Sequence, residues 1–378
     1  MTQDLPFLRT SERKAFKRCP QAWWWRYVDW WVPQRVHGGA LWFGTGIHLA
    51  LEHWYVPGKK RGRPPVETWL EYVGDRVENI KTLITEGEKA DGEQTWFEDA
   101  GVLGTAMLQG YVDDEYGEDD EWEVISPEQT AMILIPHPTV KGLKIARQVA
   151  TFDLVARNLT TGKIWLWDHK TAASIVVSHL WGDDQAGAYW AIAPDVLIHQ
   201  GKMKKGERLA GILYNFLMKS KRDDRPENAD GLKCNQPKKE HYVRELQNYF
   251  GEEGDPDGLV DDIPKMSLAK LKEMAKTQNL VVIGDVSEKQ PAKRFHREPV
   301  YRSVKERRTQ VRRIGEEAVW MNAMRNGEMP VFKNPSDKCN FCEFRTLCEL
   351  DEKGGDTEEF LELEFKKEDP YAAHRKTS

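Results

Sequence analysis

The sequence predicts an α/β (α+β) chain organised round one mixed central sheet, and three observations carry this. Apolar residues recur at helical spacing as far as about residue 116. From Glu121 the texture changes to runs of β-branched and aromatic residues at 122–136, 145–157 and 163–170. A helix at about 180–194, a further strand at 210–218 and a long basic helix at about 300–326 follow. Helices, then a meander of strands, then helix, strand and helix is the order of a sheet covered by helices.

Each element has its own signal. Phe16 to Trp31 is aromatic-rich and reads as helical, with Pro20 marking a first turn or kink and Pro33 the end. Gly38–Gly39 breaks the chain before a second helix at about 41–55, which carries Phe43, Ile47, Leu51 and Trp54 at helical spacing. Residues 57–65 form a basic loop, and amphipathic helices are expected at 66–90 and 102–116. Asn158 to Gly162 is a hairpin turn between two strands. Pro194 is expected to end the helix at 180–194. Residues 219–290 are polar and rich in Gly and Asp, with a short helix near 266–277, and read as an insertion.

The chain has 378 residues, enough for about two domains or one elaborated one. With 40% hydrophobic and 31% charged residues it can build a core. No apolar run approaches the ~20 residues needed to span a bilayer, and the first residues lack the apolar stretch of a secretory signal. The expected setting is therefore cytoplasmic, without a membrane partner. The balance of 55 basic to 61 acidic residues excludes a polycationic DNA-coating protein but not a nucleic-acid enzyme, because charge is segregated. Asp113 to Glu121 and Glu349 to Glu364 are acidic and read as solvated segments. Lys293 to Arg313 is basic, either a solvated helix face or a phosphate-binding surface.

Five cysteines occur, and three form a C-x2-C-x5-C run, Cys339, Cys342 and Cys348. A reducing compartment makes disulfides a poor explanation and metal ligation a better one. A fourth thiolate must come from Cys19 or Cys234. Cys234 sits in the polar insertion, so Cys19, in the N-terminal aromatic segment, is chosen. A three-plus-one pattern suits an iron–sulfur cluster better than zinc, which usually draws on two local pairs. Zinc or no metal remain the alternatives at this point.

The hairpin carries the chemistry. Asp153 is the only carboxylate in an apolar strand, Ala150 to Val155. Asp168 and Lys170 lie two apart in the next strand, so they share a face while His169 points to the other. The hairpin brings Asp153 beside Asp168, and two adjacent carboxylates repel unless a divalent cation relieves them. A hard cation with oxygen ligands and a neighbouring ammonium is a recipe for phosphodiester hydrolysis. The plain alternative is a buried Asp–Lys ion pair. Two further pieces join: Gly44-Thr-Gly-Ile-His48 with Glu52 one turn on, and Gln185-Ala-Gly-Ala-Tyr189, an i,i+4 pair on one helical face.

These motifs, in this order and with an early Cys19-Pro20, resemble the RecB-type branch of the PD-(D/E)XK nucleases. They look most similar to the iron–sulfur members, such as the AddB nuclease domain and the RecB-like CRISPR-associated exonucleases. The motifs run from residue 19 to 348. The resemblance implies a restriction-endonuclease-like core with a mixed central sheet flanked by helices, plus a helical iron–sulfur subdomain formed by both chain ends. It implies that Asp153 and Asp168 bind Mg²⁺ or Mn²⁺, with His48 and the backbone carbonyl of His169 as further ligands. It implies that Lys170 is the catalytic lysine, and that Gln185 and Tyr189 hold DNA near the active site. It implies a [4Fe–4S] cluster on Cys19, Cys339, Cys342 and Cys348. Glu128 sits where the family often has an acid before the core hairpin. His169 departs from the aromatic or apolar residue more usual there, and 219–290 has no recognised counterpart.

The implied organisation is an N-terminal helical region at 1–120, the nuclease core at 121–218, the insertion at 219–290, a basic helix and cluster region at 291–350, and a flexible tail at 351–378. No Walker A, dinucleotide fingerprint or H-E-x-x-H motif is present. A chain without a motor is expected to act on single-stranded or free-ended DNA, alone or with a separate helicase, recombinase or annealing protein, in recombination, repair or phage DNA processing. The competing readings are a DNA-binding module with little cleavage and a structure-specific endonuclease.

Overall fold

The computed structural model describes residues 5–34, 39–85, 91–116, 119–252, 254 and 256–375. Gly38 and Glu118, from the expected glycine break and the first acidic run, lie outside them. The chain divides into two compact units, Met1–Ser220 with Phe295–Ser378, and Lys221–Arg294.

The first unit is a six-stranded mixed sheet between two helical layers. Its strands are β1 (Phe7–Leu8), β3 (Trp122–Pro136), β4 (Lys144–Asn158), β5 (Ile164–Ala172), β6 (Leu209–Met218) and β7 (Phe295–Val300), hydrogen-bonded in the order β1-β4-β5-β6-β7 with β3 also on β4. A separate two-stranded ribbon joins β2 (Trp31–Pro33) to β8 (Phe365–Lys367). On one face lie α3 (Ala40–Trp54), α4 (Pro65–Thr85) and α5 (Asp91–Gly110), whose Ile47, Leu51, Trp69 and Met107 pack on Leu154, Trp167, Leu213 and Leu217 of the sheet. On the other lie α6 (Asp184–His199) and α9 (Val304–Arg325). There Tyr189, Ile192 and Leu197 of α6 meet Phe152, Leu166 and Ile212, and Ile314, Ala318 and Met321 of α9 meet Ile135 and Ala146.

The pairing of β4 positions everything that follows. Its partner β3 runs along one edge from Trp122↔Asn158 to Pro136↔Lys144. The other edge is shared end to end. The parallel strand β1 takes Arg147 and Gln148, and the antiparallel strand β5 takes Leu154 to Arg157. Residues 149–153 between them pair with neither strand. Strict alternation also slips here, since Phe152 and Val155 face one layer while Leu154 and Ala156 face the other.

Several expectations change. The N-terminal aromatic stretch is not one helix to Trp31. Helix α1 (Thr10–Arg18) stops at Cys19, which is extended (φ −160°, ψ 110°) because the following proline disfavours helical backbone there. Then come α2 (Pro20–Trp23) and a π-turn at Trp24–Val28, and Trp31 is already in β2. Pro194 does not end α6, which runs to His199. Arg307 Nε donates to the Ala191 carbonyl (3.1 Å) and Nη2 to Asp195 (2.7 Å), bracing the turn that the missing proline N–H weakens. The basic helix starts later than expected, behind a strand (β7) that the charged texture hid. The Asp119 side chain is not solvated but enclosed, 3% exposed, against Arg297, a member of the basic run.

The C-terminal segment is not a free tail. After α10 (Arg345–Glu352) and α11 (Thr357–Glu364), β8 pairs with β2, Phe365 stacks on Phe344 (5.3 Å) and Tyr371, ahead of α12 (Ala372–Arg375), stacks on Phe7 (5.4 Å). Its few aromatics outweigh its acidic composition. The second unit carries α7 (Lys239–Glu252) and α8 (Leu268–Thr277) round Leu246, Phe250, Ile263 and Leu271, so it has an apolar core of its own. Among the described residues no helix is long and apolar enough to cross a membrane.

Candidate active site

The site forms where β4 and β5 part. Their ladder stops at Leu154↔Trp167, one residue short of the two aspartates. Beyond it the His169 N–H donates to Asp153 Oδ2 (2.7 Å) instead of to a strand partner. Meanwhile β5 stays on β6 as far as Ala172↔Met218. Asp153 and Asp168 are thus buried side chains at the mouth of a split, held by two different ladders.

Lys170 projects from the same face of β5 as Asp168, with Nζ 2.6 Å from Asp168 Oδ2. Gln185, in the first turn of α6, ties the pair together. Its Nε2 donates to Asp168 Oδ1 (3.0 Å) and to the Tyr189 hydroxyl (2.7 Å), and its Oε1 accepts from Lys170 Nζ (3.1 Å). The Asp183 side chain caps α6 by accepting from the Gln185 N–H (2.6 Å). The i,i+4 spacing of Gln185 and Tyr189 puts both on the face turned to the split. Gly187, between them, leaves room for Gln310 of α9, whose side-chain atoms lie 2.6–3.0 Å from where a Cβ would stand.

His48 arrives from α3. Gly46 lets Trp69 and Tyr72 of α4 press against the helix, at 2.5–2.6 Å from an imagined Cβ, and this seats α3 close to the sheet. His48 Nδ1 lies 3.4 Å from Asp153 Oδ2. One ligand atom each of His48, Glu128 and Asp153 falls within 4.8 Å of the others. Glu128 stands on β3 opposite Asp153 in the left-handed region (φ 38°), where a side chain is strained, and its carboxylate turns in to the group. The His169 imidazole turns away into the helical layer, as the two-residue strand period requires.

The electrostatics show excess negative charge. Burial, the Asp153 charge and Glu52 push Glu128 up to about 7. Burial raises Asp168 to about 6, although Lys170 pulls against it. Burial opposes a charged His48, but the hydrogen bond and charge of Asp153 outweigh it and carry the imidazole to about 9. Asp153 is held below its ordinary value because His48 overcomes its burial. Glu128, Asp153 and, once it gives up its proton, the His48 imidazole form a donor set that a hard divalent cation satisfies, with Asp168 beside it on the next strand. The residues present fit such an ion.

Two clefts meet at Asp153. One, of about 420 Å³, runs beside the unpaired edge of β4 between Val149, Ala150 and Thr151 and the basic and hydroxyl side chains of Arg9, Thr10, Ser11 and Lys14, with Gln185 and Tyr189 at its end. The other, of about 450 Å³, holds His48, Glu52 and Glu128 with Leu41 and Leu49. Acids on adjoining strands, a lysine two residues beyond one of them, and a basic cleft on one side define a fold-wide pattern. A family model described as the PD-(D/E)XK nuclease superfamily matches residues 10–349. The chain belongs to the PD-(D/E)XK nuclease superfamily. Its mixed sheet flanked by helices is the restriction-endonuclease-like fold of that superfamily, whose nucleases use divalent metals and act on DNA. No curated protein matches the chain.

Within this nuclease the cysteines also meet. Cys19, Cys339, Cys342 and Cys348 line one cavity of about 370 Å³ with Ala22, Trp25 and Phe344, and none of the four is in a disulfide. The break before Pro20 is what turns Cys19 into it. Cys234 is buried in the second unit. Sequence reasoning gave no reason to expect the buried Arg297, Asn215, Tyr55 and Tyr111 behind His169. The available signal was one polar residue, Asn215, in the apolar run of β6.

Proposed function

We propose that the protein is a metal-dependent DNA nuclease that degrades single strands from an end, of the RecB-like iron–sulfur type. The observation that carries the nuclease reading is the clamp of Gln185 on Asp168 and Lys170 beside Asp153. In it His48, Glu128, Asp153 and Asp168 would hold the divalent cation, which supplies an activated water and charge stabilisation at phosphorus. Lys170 places a positive charge where negative charge develops on the phosphate. Gln185 holds that ammonium and the Asp168 carboxylate in fixed relation, and the buried Tyr189 phenol stays protonated as a donor. Arg9 and Lys14 supply the cationic wall that a DNA backbone needs.

The single-strand preference rests on the resemblance to the RecB-like exonucleases. The [4Fe–4S] reading rests on the four thiols lining one cavity. Among the described residues no three of them lie within 4.8 Å of one another, whereas a tetrahedral zinc site with bonds of about 2.3 Å brings its sulfurs to about 3.8 Å. The wider spacing suits a cluster that pins both chain segments.

The test uses end-labelled single strands, blocked at one end or the other, and closed circular single strands, with Mn²⁺. Progressive loss of linear strands that Asp168→Ala abolishes supports the reading. Cutting of circles would replace it with an endonuclease, and binding without cleavage would replace it with a DNA-binding module. Brown, anaerobically purified protein absorbing near 400 nm supports the cluster, and a colourless protein with stoichiometric zinc overturns it.

A further inference from the structure

Behind the metal group a row of polar residues crosses three strands. In register, His169 of β5 stands beside Asn215 of β6, and Asn215 beside Arg297 of β7. The row faces the helical layer, among Trp167, Leu213, Leu217 and Phe295. His169 and Asn215 are buried, and so are Tyr55, Tyr111 and the side chain of Asp119, which complete the set.

Every member is engaged. Arg297 makes a two-pronged pair with Asp119 (2.7 Å on each oxygen) and donates to the hydroxyls of Tyr55 (3.2 Å) and Tyr111 (3.1 Å). Its Nε reaches Asn215 Oδ1 (3.4 Å), and its guanidinium lies over the Trp167 ring (4.4 Å). The Asn215 amide nitrogen donates to the Tyr111 hydroxyl (3.0 Å) and to His169 Nδ1 (2.9 Å), which fixes the ring in the tautomer protonated at Nε2. The ring also stacks on Tyr55 (5.9 Å, 15°). Two contacts then leave the row for the metal group: the His169 N–H to Asp153 Oδ2 (2.7 Å), and the His169 ring edge to edge-on His48 (5.9 Å, 86°).

Burying a guanidinium, a carboxylate and an amide carries a desolvation cost, and apolar residues would fill the same layer without it. Stability therefore gives no account of the row, whereas its route to Asp153 and His48 does. We propose that Asn215 and Arg297 are positioning residues: they fix His169 from behind, and His169 fixes the Asp153 carboxylate and the His48 ring in the pose that holds the divalent cation. This rests on the metal-nuclease reading.

The test is calorimetric titration of Mn²⁺ into the full chain without DNA, for wild type, Asn215→Leu and Tyr111→Phe. Removal of outer partners of ligating groups typically costs 10- to 100-fold in metal affinity. Asn215→Leu is expected to bind Mn²⁺ at least about 10-fold more weakly, with metal-free DNA affinity unchanged. Its cleavage should need correspondingly more Mn²⁺ for half-saturation, and turnover should recover at excess metal. A purely structural role would lower DNA affinity and turnover together, with no recovery by metal. A folded Asn215→Leu with wild-type Mn²⁺ affinity overturns the proposal. If that variant does not fold, Tyr111→Phe, which loses one hydroxyl, decides in the same way. Wild type that binds Mn²⁺ but cuts no DNA defeats the nuclease reading alone, and wild type that binds no Mn²⁺ defeats both.

Discussion

Gln185 is the residue on which the site's geometry turns, because one amide serves an acid, a base and a phenol at once. Removing the ammonium it holds should remove charge stabilisation without touching the cleft. Lys170→Ala is expected to lower the cleavage rate by about 10²–10³-fold or more, while DNA affinity stays near that of wild type; retained cleavage would dismiss Lys170 as catalytic. The acids give a pH dependence in the metal-free protein. Glu128, at about 7, Asp168, at about 6, and His48, at about 9, all bind protons more tightly folded than unfolded. Their stabilisation is therefore full at acidic pH and is lost as pH rises through this window. Asp153, shifted downward, acts oppositely, but only below its ordinary carboxylate range. Thermal melts in EDTA should show a lower Tm at pH 8.5 than at pH 5.5, flattened in Glu128→Gln, with Mn²⁺ raising Tm more at the higher pH. The strand period and the hairpin turn were enough to bring Asp153, Asp168 and Lys170 together on paper. The inward turn of Glu128 was not legible, because it depends on a left-handed backbone at a residue type that rarely adopts one.

At the scale of elements, the fold depends on close approaches as much as on hydrophobic faces. Gly46 is where α4 rests on α3, so a side chain there must displace two aromatic rings. Gly46→Val is expected to cost about 1–3 kcal/mol by overpacking and to weaken Mn²⁺ binding through His48, read by urea unfolding and metal titration. An unchanged midpoint would show that α3 is seated by something else. Strands β3 to β6 were legible because β-branched and aromatic runs are long there. Strand β7 was not, since its sequence, Phe-His-Arg-Glu-Pro-Val, is charged and pairs along only one edge of the sheet. The course of α6 through Pro194 was not legible either, because Arg307, which braces that turn, comes from a helix more than a hundred residues later.

For the whole molecule, the cysteine cavity makes a sharper distinction than sequence spacing could. Cys339→Ala is expected to abolish absorption near 400 nm and lower Tm, whereas Cys234→Ala, in the other unit, leaves the absorption intact; equal loss of colour in both variants would undo the choice of Cys19 as fourth ligand. That residues 365–375 are folded was hidden by the acidity before them, since order there comes from single aromatics finding partners distant in sequence, such as Tyr371 on Phe7. Glu12, fully buried in α1, receives a hydrogen bond from the Tyr371 hydroxyl, and β2 waits for β8. Helix α1, which brings Lys14 and, at its N-cap, Arg9 to the cleft, is thus tied down by a residue 359 positions away from Glu12. Pairings this distant in sequence form slowly, so the local hairpin that carries Asp153 and Asp168 can close before α1 is fixed against the cleft, and the basic side of that cleft is the last part of it to be made.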